Sequence, residues 1–182
     1  MKCGTMEFMD VITSRKSVRA FLGKAVEEEK LMKILEAARL APSWGNKQGR
    51  KYVVVKNKAT INEIALGFTS WLSEVPVLLA ACIDPKDSGS HNNMDYYLVD
   101  VGISTQQLVL AATNLGLGTC WISGFDEEKV KKVLEIPTNV RVVALTPLGY
   151  PAPISERSKE IQEFVRSSKR KPLEEMVHRE KW

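Results

Sequence analysis

Val77–Ile83 reads VLLAACI, seven consecutive residues without a charged or amide side chain. A strand with one wet face alternates polar and apolar residues. A short run that is apolar on both faces has to be covered above and below. This segment therefore asks for a layered domain, with helices packed on both sides of a sheet.

The flanking patterns supply those layers. Met6–Ser14 predicts a short helix with Phe8, Val11 and Ile12 on one side. Glu27–Leu40 predicts the clearest helix: Leu31, Ile34, Leu35 and Ala38 recur at i, i+3, i+4, i+7, Glu27, Glu28 and Glu29 complement the dipole at its start, and Pro42 stops it. Tyr52–Val55 predicts a strand, Ala59–Leu66 a helix, Asp84–Asn93 a loop, Thr119–Ile122 a short strand and Val140–Leu148 another. Asp126 predicts the N-cap of a helix that runs to about Glu135, with Val130, Val133 and Leu134 facing inward. Asp95–Leu115 predicts a long helix that is apolar nearly all round, stopped by Gly116 and Gly118; such a helix lies inside a fold or across a subunit contact. After Ile154 the sequence becomes charged with little core signal, so residues 155–182 predict a C-terminal extension that docks on something or stays mobile. One domain spanning 1–182 is expected, of a size that buries roughly 70% of its unfolded surface without a staple.

Composition narrows the function. The net charge of +4 is mild and suits an anionic small ligand as well as nucleic acid. The basic residues are dispersed and no nucleic-acid recognition motif appears, so no nucleic-acid partner is expected. Cys3, Cys82 and Cys120 are odd in number and irregular in spacing, and His91 and His178 are the only histidines. That argues against a disulfide framework or a metal site and for a reducing, cytoplasmic compartment. MKCGTMEFMD has no apolar h-region, and no apolar run approaches about 18 residues, so neither a signal peptide nor a membrane span is expected. GxGxxG, GxxxxGK[ST] and GxSxG are absent, and two remote histidines make a poor Ser–His or Cys–His pair.

Four segments remain that hold more chemistry than a turn requires. Ser14–Arg19, SRKSVR, is either a solvated basic turn or a phosphate-holding stretch. The loop PSWGNKQ, Pro42–Gln48, is either a helix stop with Trp44 plugging a core edge or a ligand loop with two side-chain amides. GLGTCWISGFDEEKV, Gly116–Val130, is either a tight crossover or a place where backbone approaches a ligand. SSKRKP, before and including Pro172, is either a basic tail or a further anion contact.

Together and in this order, these segments resemble the FMN-dependent nitroreductase family. SRKSVRAF is similar to its S-R-R-S-x-R-x-F motif. EEEKLMKILEAARLAPSWGNKQ is similar to its helix followed by A-P-S-x-x-N-x-Q, and DVGISTQQLVLAATNLGLGTCWISGF to its long helix and G-L-G-x-x-W-I. TPLGYPAP and KRKPLEEMVHREKW are similar to its L-G-Y-P strand end and its C-terminal segment. Ala59–Met94 carries the least specific likeness.

The resemblance implies an α/β (α+β) layered fold: a central, mostly antiparallel sheet of about four to five strands flanked by helices, with the C-terminal tail docking on a partner subunit. It implies a homodimer with FMN at the subunit interface. Arg15, Lys16 and Ser17 would then hold the phosphate and ribityl chain, and Arg19 the pyrimidine N1/C2=O edge of the flavin. Pro42, Ser43, Trp44, Asn46 and Gln48 would reach the ring from the other subunit. Trp121, Ile122, Ser123 and Gly124 would lie along the ring with the Ser123 N–H toward N5, and Lys169 and Arg170 would contact the phosphate. NADH or NADPH would be the electron donor, and a nitroaromatic, quinone or flavin the acceptor, in a ping-pong cycle with no protein nucleophile, essential side-chain acid or base, or metal. Two departures stand out: Gly49-Arg50 replaces the family's usual Pro-Trp, and the chain is short enough to lack inserted helices over the flavin. Two rival functions belong to the same fold, a flavin-binding or storage protein without turnover and a relative acting on its own flavin or on halogenated aromatics.

Overall fold

The computed structural model describes residues 6–65, 67–153 and 170–182. Helix α1 (Phe8–Ser14) is followed by α2 (Glu28–Arg39), strand β1 (Lys51–Val55) and α3 (Lys58–Ile64). Then come β2 (Val77–Ile83), the two-residue strands β3 (Ser90–His91) and β4 (Met94–Asp95), and the long helix α4 (Tyr97–Asn114). β5 (Gly118–Thr119), α5 (Glu127–Leu134) and β6 (Arg141–Gly149) complete the ordered elements. The main sheet has four strands in the order β1-β2-β6-β5, every pair antiparallel. β3 and β4 form a separate hairpin that starts in the expected 84–93 loop and runs past it to Asp95, so that α4 begins two residues later than expected; Asn92 and Asn93 turn it, both with positive φ.

β2 settles the layering. All seven of its residues are buried. Leu78, Ala80 and Cys82 pack with Ile61 and Ile64 of α3 and Val130 of α5. Val77 and Leu79 pack with Leu31, Ile34 and Ala38 of α2 and with Leu108, Val109 and Ala112 of α4. Ala81 and Ile83 meet Val101 of α4. Alternate residues thus feed two different helical layers, as a period of two requires. The expected N-cap at Asp126 forms, its side chain accepting from the Lys129 N–H at 3.0 Å.

Three local expectations shift. In α1 only Val11 is buried, while Phe8 and Ile12 stay exposed; α1 packs chiefly on α4 among the described elements. α4 is buried along Asp100, Val101, Ser104, Thr105, Leu108, Val109 and Ala112, yet Leu98, Val99 and Ile103 on its other side are exposed. The predicted 119–122 strand is broken: β5 pairs Gly118 with Gly149 and Thr119 with Leu148, and the next bridge is Ile122 with Leu145. The register never slips. Ile122 and Leu145 exchange both backbone bonds at 3.0 Å, so the next such pair along the ladder would be Cys120–Pro147. Proline has no N–H to give, and the ladder opens there.

Two anchors tie loops to this frame. Asp100, in the first turn of α4, is 2% exposed. Its Oδ1 accepts from the Trp44 N–H at 2.8 Å and its Oδ2 from the Ser88 hydroxyl at 2.7 Å. At the other end of α2, the Tyr150 hydroxyl donates to Glu27 Oε2 at 2.5 Å and accepts from Lys30 Nζ at 2.7 Å, while Lys24 Nζ lies 4.2 Å from the ring centroid. The Tyr150 hydrogen bond first, then the backbone bond of Glu27 and the charges of Lys30 and Lys24, hold the exposed Glu27 carboxyl down at about 2. Among the described residues no helix is long and apolar enough to cross a membrane.

Asp100→Ala leaves the buried Trp44 N–H and Ser88 hydroxyl without an acceptor. The expected loss is about 1–3 kcal/mol or more in urea unfolding, with a shift in tryptophan emission as Trp44 loosens. Glu27→Gln tests the second anchor. Because the folded pKa is lowered, the carboxylate stabilises the fold fully above its unfolded value near 4.5 and loses that contribution as pH falls toward 2. The difference in Tm between Glu27→Gln and the parent should therefore be present at pH 7 and close between pH 4.5 and 2.

Candidate functional site

The SRKSVRAF segment enters the core only at its end, where Phe21 is buried and Val18 packs against the same cluster. It runs in extended form past the exposed side of β5. Ser17 bridges Thr119 in parallel, Val18 N donates to Thr119 O at 2.8 Å, and Leu22 N donates to Tyr150 O at 2.8 Å. Val18 presses so closely on Gly118 that a Cβ there would collide with it. The glycine is thus explained by close approach. This strip brings the first motif alongside the third.

Where the ladder opens at Pro147, the two motifs enclose a cleft of about 180 Å³. Its walls are Arg19, Cys120, Trp121, Ile122, Ser123 and Gly124, joined by Thr69 and Trp71 from the 3-10 segment after α3. Arg19 Nη1 is buried and has no hydrogen-bond partner among the described residues. The Ser123 N–H donates to no group among the described residues. Cys120 sits among the same groups: burial pushes its thiol up, while the Arg19 charge, a hydrogen bond with Ser17 and the Arg15 charge pull the other way. A raised thiol is a poor nucleophile, so the cleft offers positive charge and donors rather than an attacking group. Phe21 stacks on Trp71 with ring centroids 6.4 Å apart and thereby fixes one wall.

The Pro42–Gln48 loop is elsewhere in the chain and lines none of this cleft. Its ring, Trp44, packs on Tyr96 at 4.4 Å and against Gly89, where a Cβ would overlap the indole. The backbone is wound tightly: Gly45, Asn46 and Gln48 all adopt positive φ, and Gln48 N donates to the Ser43 hydroxyl at 2.9 Å. Positive φ at Gln48 is costly for a residue with a long side chain. The Asp100 anchor holds the loop in this shape. Pro42, Asn46 and Gln48 are exposed, and the Asn46 side-chain amide bonds to nothing among the described residues. The loop is thus built rigidly within its own chain and presents its polar tips outward.

The predicted residues therefore divide. Arg19, Trp121, Ile122, Ser123 and Gly124 share one cleft; Arg15 and Ser17 adjoin it at Cys120, and Lys16 is exposed. Pro42, Ser43, Trp44, Asn46 and Gln48 form a second, separate surface. Arg170 is exposed and is not a lining residue of the cleft; Lys169 lies outside the described residues. Sequence reasoning missed Thr69, Trp71 and Cys120 in the cleft and Asp100 behind the loop. A carboxylate inside an otherwise apolar helix was a legible signal for Asp100. Trp71 carried none, because nothing local separates it from a core tryptophan. No group of three potential metal-ligating side chains occurs among the described residues.

The Nitroreductase family model matches residues 12–77 and 63–150. A protein of Archaeoglobus fulgidus provisionally named NADH dehydrogenase/NAD(P)H nitroreductase is 31% identical over 97% of this chain and 99% of its own. The crystal structure of a nitroreductase family protein from Clostridium novyi NT is 42% identical, with a TM-score of 0.77 over 80% of this chain and 87% of that one. An FMN-dependent nitroreductase from Clostridium difficile R20291 is 26% identical, with a TM-score of 0.72 over 81% and 89%. With a family match across most of its length, a near-full-length relative and the same antiparallel sheet between helical layers, the chain belongs to the nitroreductase family.

Proposed function

We propose that this chain is an FMN-dependent oxidoreductase, one FMN-binding domain that works as a homodimer, taking hydride from NADH or NADPH and delivering reducing equivalents to a small nitroaromatic, quinone or flavin acceptor. One observation carries the reading. Arg19 Nη1 is a buried, cationic donor with no partner, on the wall of a cleft whose far side is the 121–124 backbone. A guanidinium nitrogen left unsatisfied in a protein interior is costly and asks for an acceptor. A flavin ring offers one at its N1/C2=O edge.

Bound there, FMN would supply the two-electron chemistry that no side chain of the cleft provides. This chain's own groups would do the rest. Arg19 places positive charge where negative charge develops on reduction. The Ser123 N–H, without a partner among the described residues, would hold a hydrogen bond at N5. Arg15, Lys16 and Ser17 hold the phosphate and ribityl end, a suitable role for cations facing close to two negative charges. Arg170 would add to that charge from the tail. Trp71 and Trp121 exclude water from the cleft edges.

The cleft's 180 Å³ is small against ligand pockets of roughly 300–1,000 Å³. A half-site on each chain accounts for this. The Pro42–Gln48 loop is preformed and turned outward, ready to complete the site of the other subunit. The exposed Leu98, Val99 and Ile103 on α4 supply an apolar face for the contact, and the exposed Leu173, Met176 and Val177 do the same for the docking tail. With FMN bound there, donor and acceptor would use the site in turn, in a ping-pong order.

Freshly purified protein should be yellow, should release about one FMN per chain on denaturation, and should oxidise NADH or NADPH rapidly when a quinone or nitroaromatic is added. A yellow protein without turnover would make it a flavin-binding protein instead, and a protein that takes up no FMN would end the reading. Arg19→Gln should weaken FMN binding by about tenfold or more in a fluorescence titration while leaving the unfolding midpoint near the parent's. Unchanged affinity would remove Arg19 from the site.

A further inference from the structure

A second pocket, of about 220 Å³, opens between α2 and β1. Leu35, Ala38 and Tyr52 form its apolar wall, and Arg39, Arg50 and Lys51 surround it with positive charge. Gln48, the last residue of the loop turned toward the partner, is on its rim. Two of the three cations are already matched. Arg39 makes a two-pronged bond to Glu36 at 2.6 and 2.7 Å, and Lys51 lies 3.6 Å from Asp87.

Arg50 is different. Its Nη2 donates to the carbonyls of Arg39, at 2.8 Å, and of Ala41, closing the C-terminal end of α2. Those acceptors carry no net charge. Its Nη1 is buried without any hydrogen-bond partner, and no carboxylate pairs with it among the described residues. The structure thus spends one face of the guanidinium on holding α2 and leaves the other face charged, desolvated and unsatisfied. A guanidinium in that state is matched best by an oxyanion, which neutralises charge and accepts hydrogen bonds together. The volume suits one phosphate or carboxylate group rather than a whole substrate.

We propose that this pocket is an oxyanion subsite, centred on Arg50 Nη1 and supported by Lys51, that takes the anionic group of a molecule using the neighbouring flavin site: the 2′-phosphate of NADPH or the carboxylate of an acidic acceptor. The link to the redox site runs through Gln48 and rests on the function proposed above; the anion binding itself does not.

Inorganic phosphate is titrated into the full chain and followed by NMR at the Arg50 side chain and the Gln48 and Tyr52 amides. The titration is repeated on Arg50→Gln and on Lys51→Gln, which keeps both hydrogen bonds to the end of α2. Saturable shifts are expected, with affinity about tenfold weaker in Arg50→Gln and a smaller loss in Lys51→Gln. Steady-state kinetics on the purified holoenzyme then separates the sources. If the 2′-phosphate is the occupant, the NADPH-to-NADH ratio of kcat/KM falls about tenfold in Arg50→Gln. If an acceptor carboxylate is, the 4-nitrobenzoate-to-nitrobenzene ratio falls instead. No saturable phosphate shift, or a shift that Arg50→Gln leaves intact, overturns the subsite, and loss of phosphate binding with both ratios unmoved overturns its role in substrate choice. A colourless protein that still binds phosphate at Arg50 sinks the flavin reading and leaves the subsite standing.

Discussion

The complete burial of β2 is the constraint on which the other elements depend. A strand with no wet face fixes α3 and α5 on one side and α2 and α4 on the other. β6 pairs with β2 along its length and carries β5 on its far edge. Everything at the cleft hangs from that edge. The strip holding Arg15, Ser17 and Arg19 is positioned by β5, and the 121–124 segment by one backbone pair to Leu145 of β6. A rigid sheet thereby sets the spacing of groups that lie outside any regular element, which is how a site on irregular chain can still be preorganised.

The cleft exists because a ladder stops. Pro147 sits in the middle of β6, where its other neighbour, β2, tolerates it at Leu78. On the β5 side it removes the donor that Cys120 would need, so Cys120 and Trp121 leave the sheet while the register continues to Ile122. Proline within a strand is confined to such places. The same economy appears at Asp100, whose one buried carboxylate fixes the Trp44 backbone and Ser88 together and so shapes a loop that adopts positive φ at Gly45, Asn46 and Gln48. Arg50 belongs to this pattern. Its side chain closes α2 and keeps a second nitrogen buried without a hydrogen-bond partner among the described residues, in a residue that lines a pocket.

Much of the frame was legible in the residues. The α2 heptad pattern, the Asp126 cap, the two-faced β2 and the bounds of α4 all follow from local rules that do not depend on the rest of the chain. The sense of α4 was half legible. Its all-round apolarity announced two covered faces, but only its packing on α2 and the sheet shows that Asp100, Ser104 and Leu108 point inward and Leu98, Val99 and Ile103 outward. α1 shows the opposite error: Phe8 and Ile12 look like core residues by spacing, yet both are exposed. At the site, Arg19 and the 121–124 stretch were readable as motifs, whereas Thr69 and Trp71 reach the cleft from a segment with no motif at all.

The amino-acid sequence by itself determined the element types, the layering and the chemical character of the site: cations, hydroxyls, amides and glycines. These are properties of short windows, set by hydrogen-bonding periodicity and side-chain type. Only the tertiary structure decided which of those residues meet. It put SRKSVR beside β5 because a sheet edge must satisfy its backbone groups, opened the cleft because Pro147 cannot, and tied the Pro42–Gln48 loop to Asp100 in the first turn of α4, outside the lining of that cleft. Likewise, the pairing state of each cation depends on which carboxylate folds next to it. Among the described residues Arg39 and Lys51 find carboxylates and Arg50 finds only carbonyls, a difference no local pattern contains.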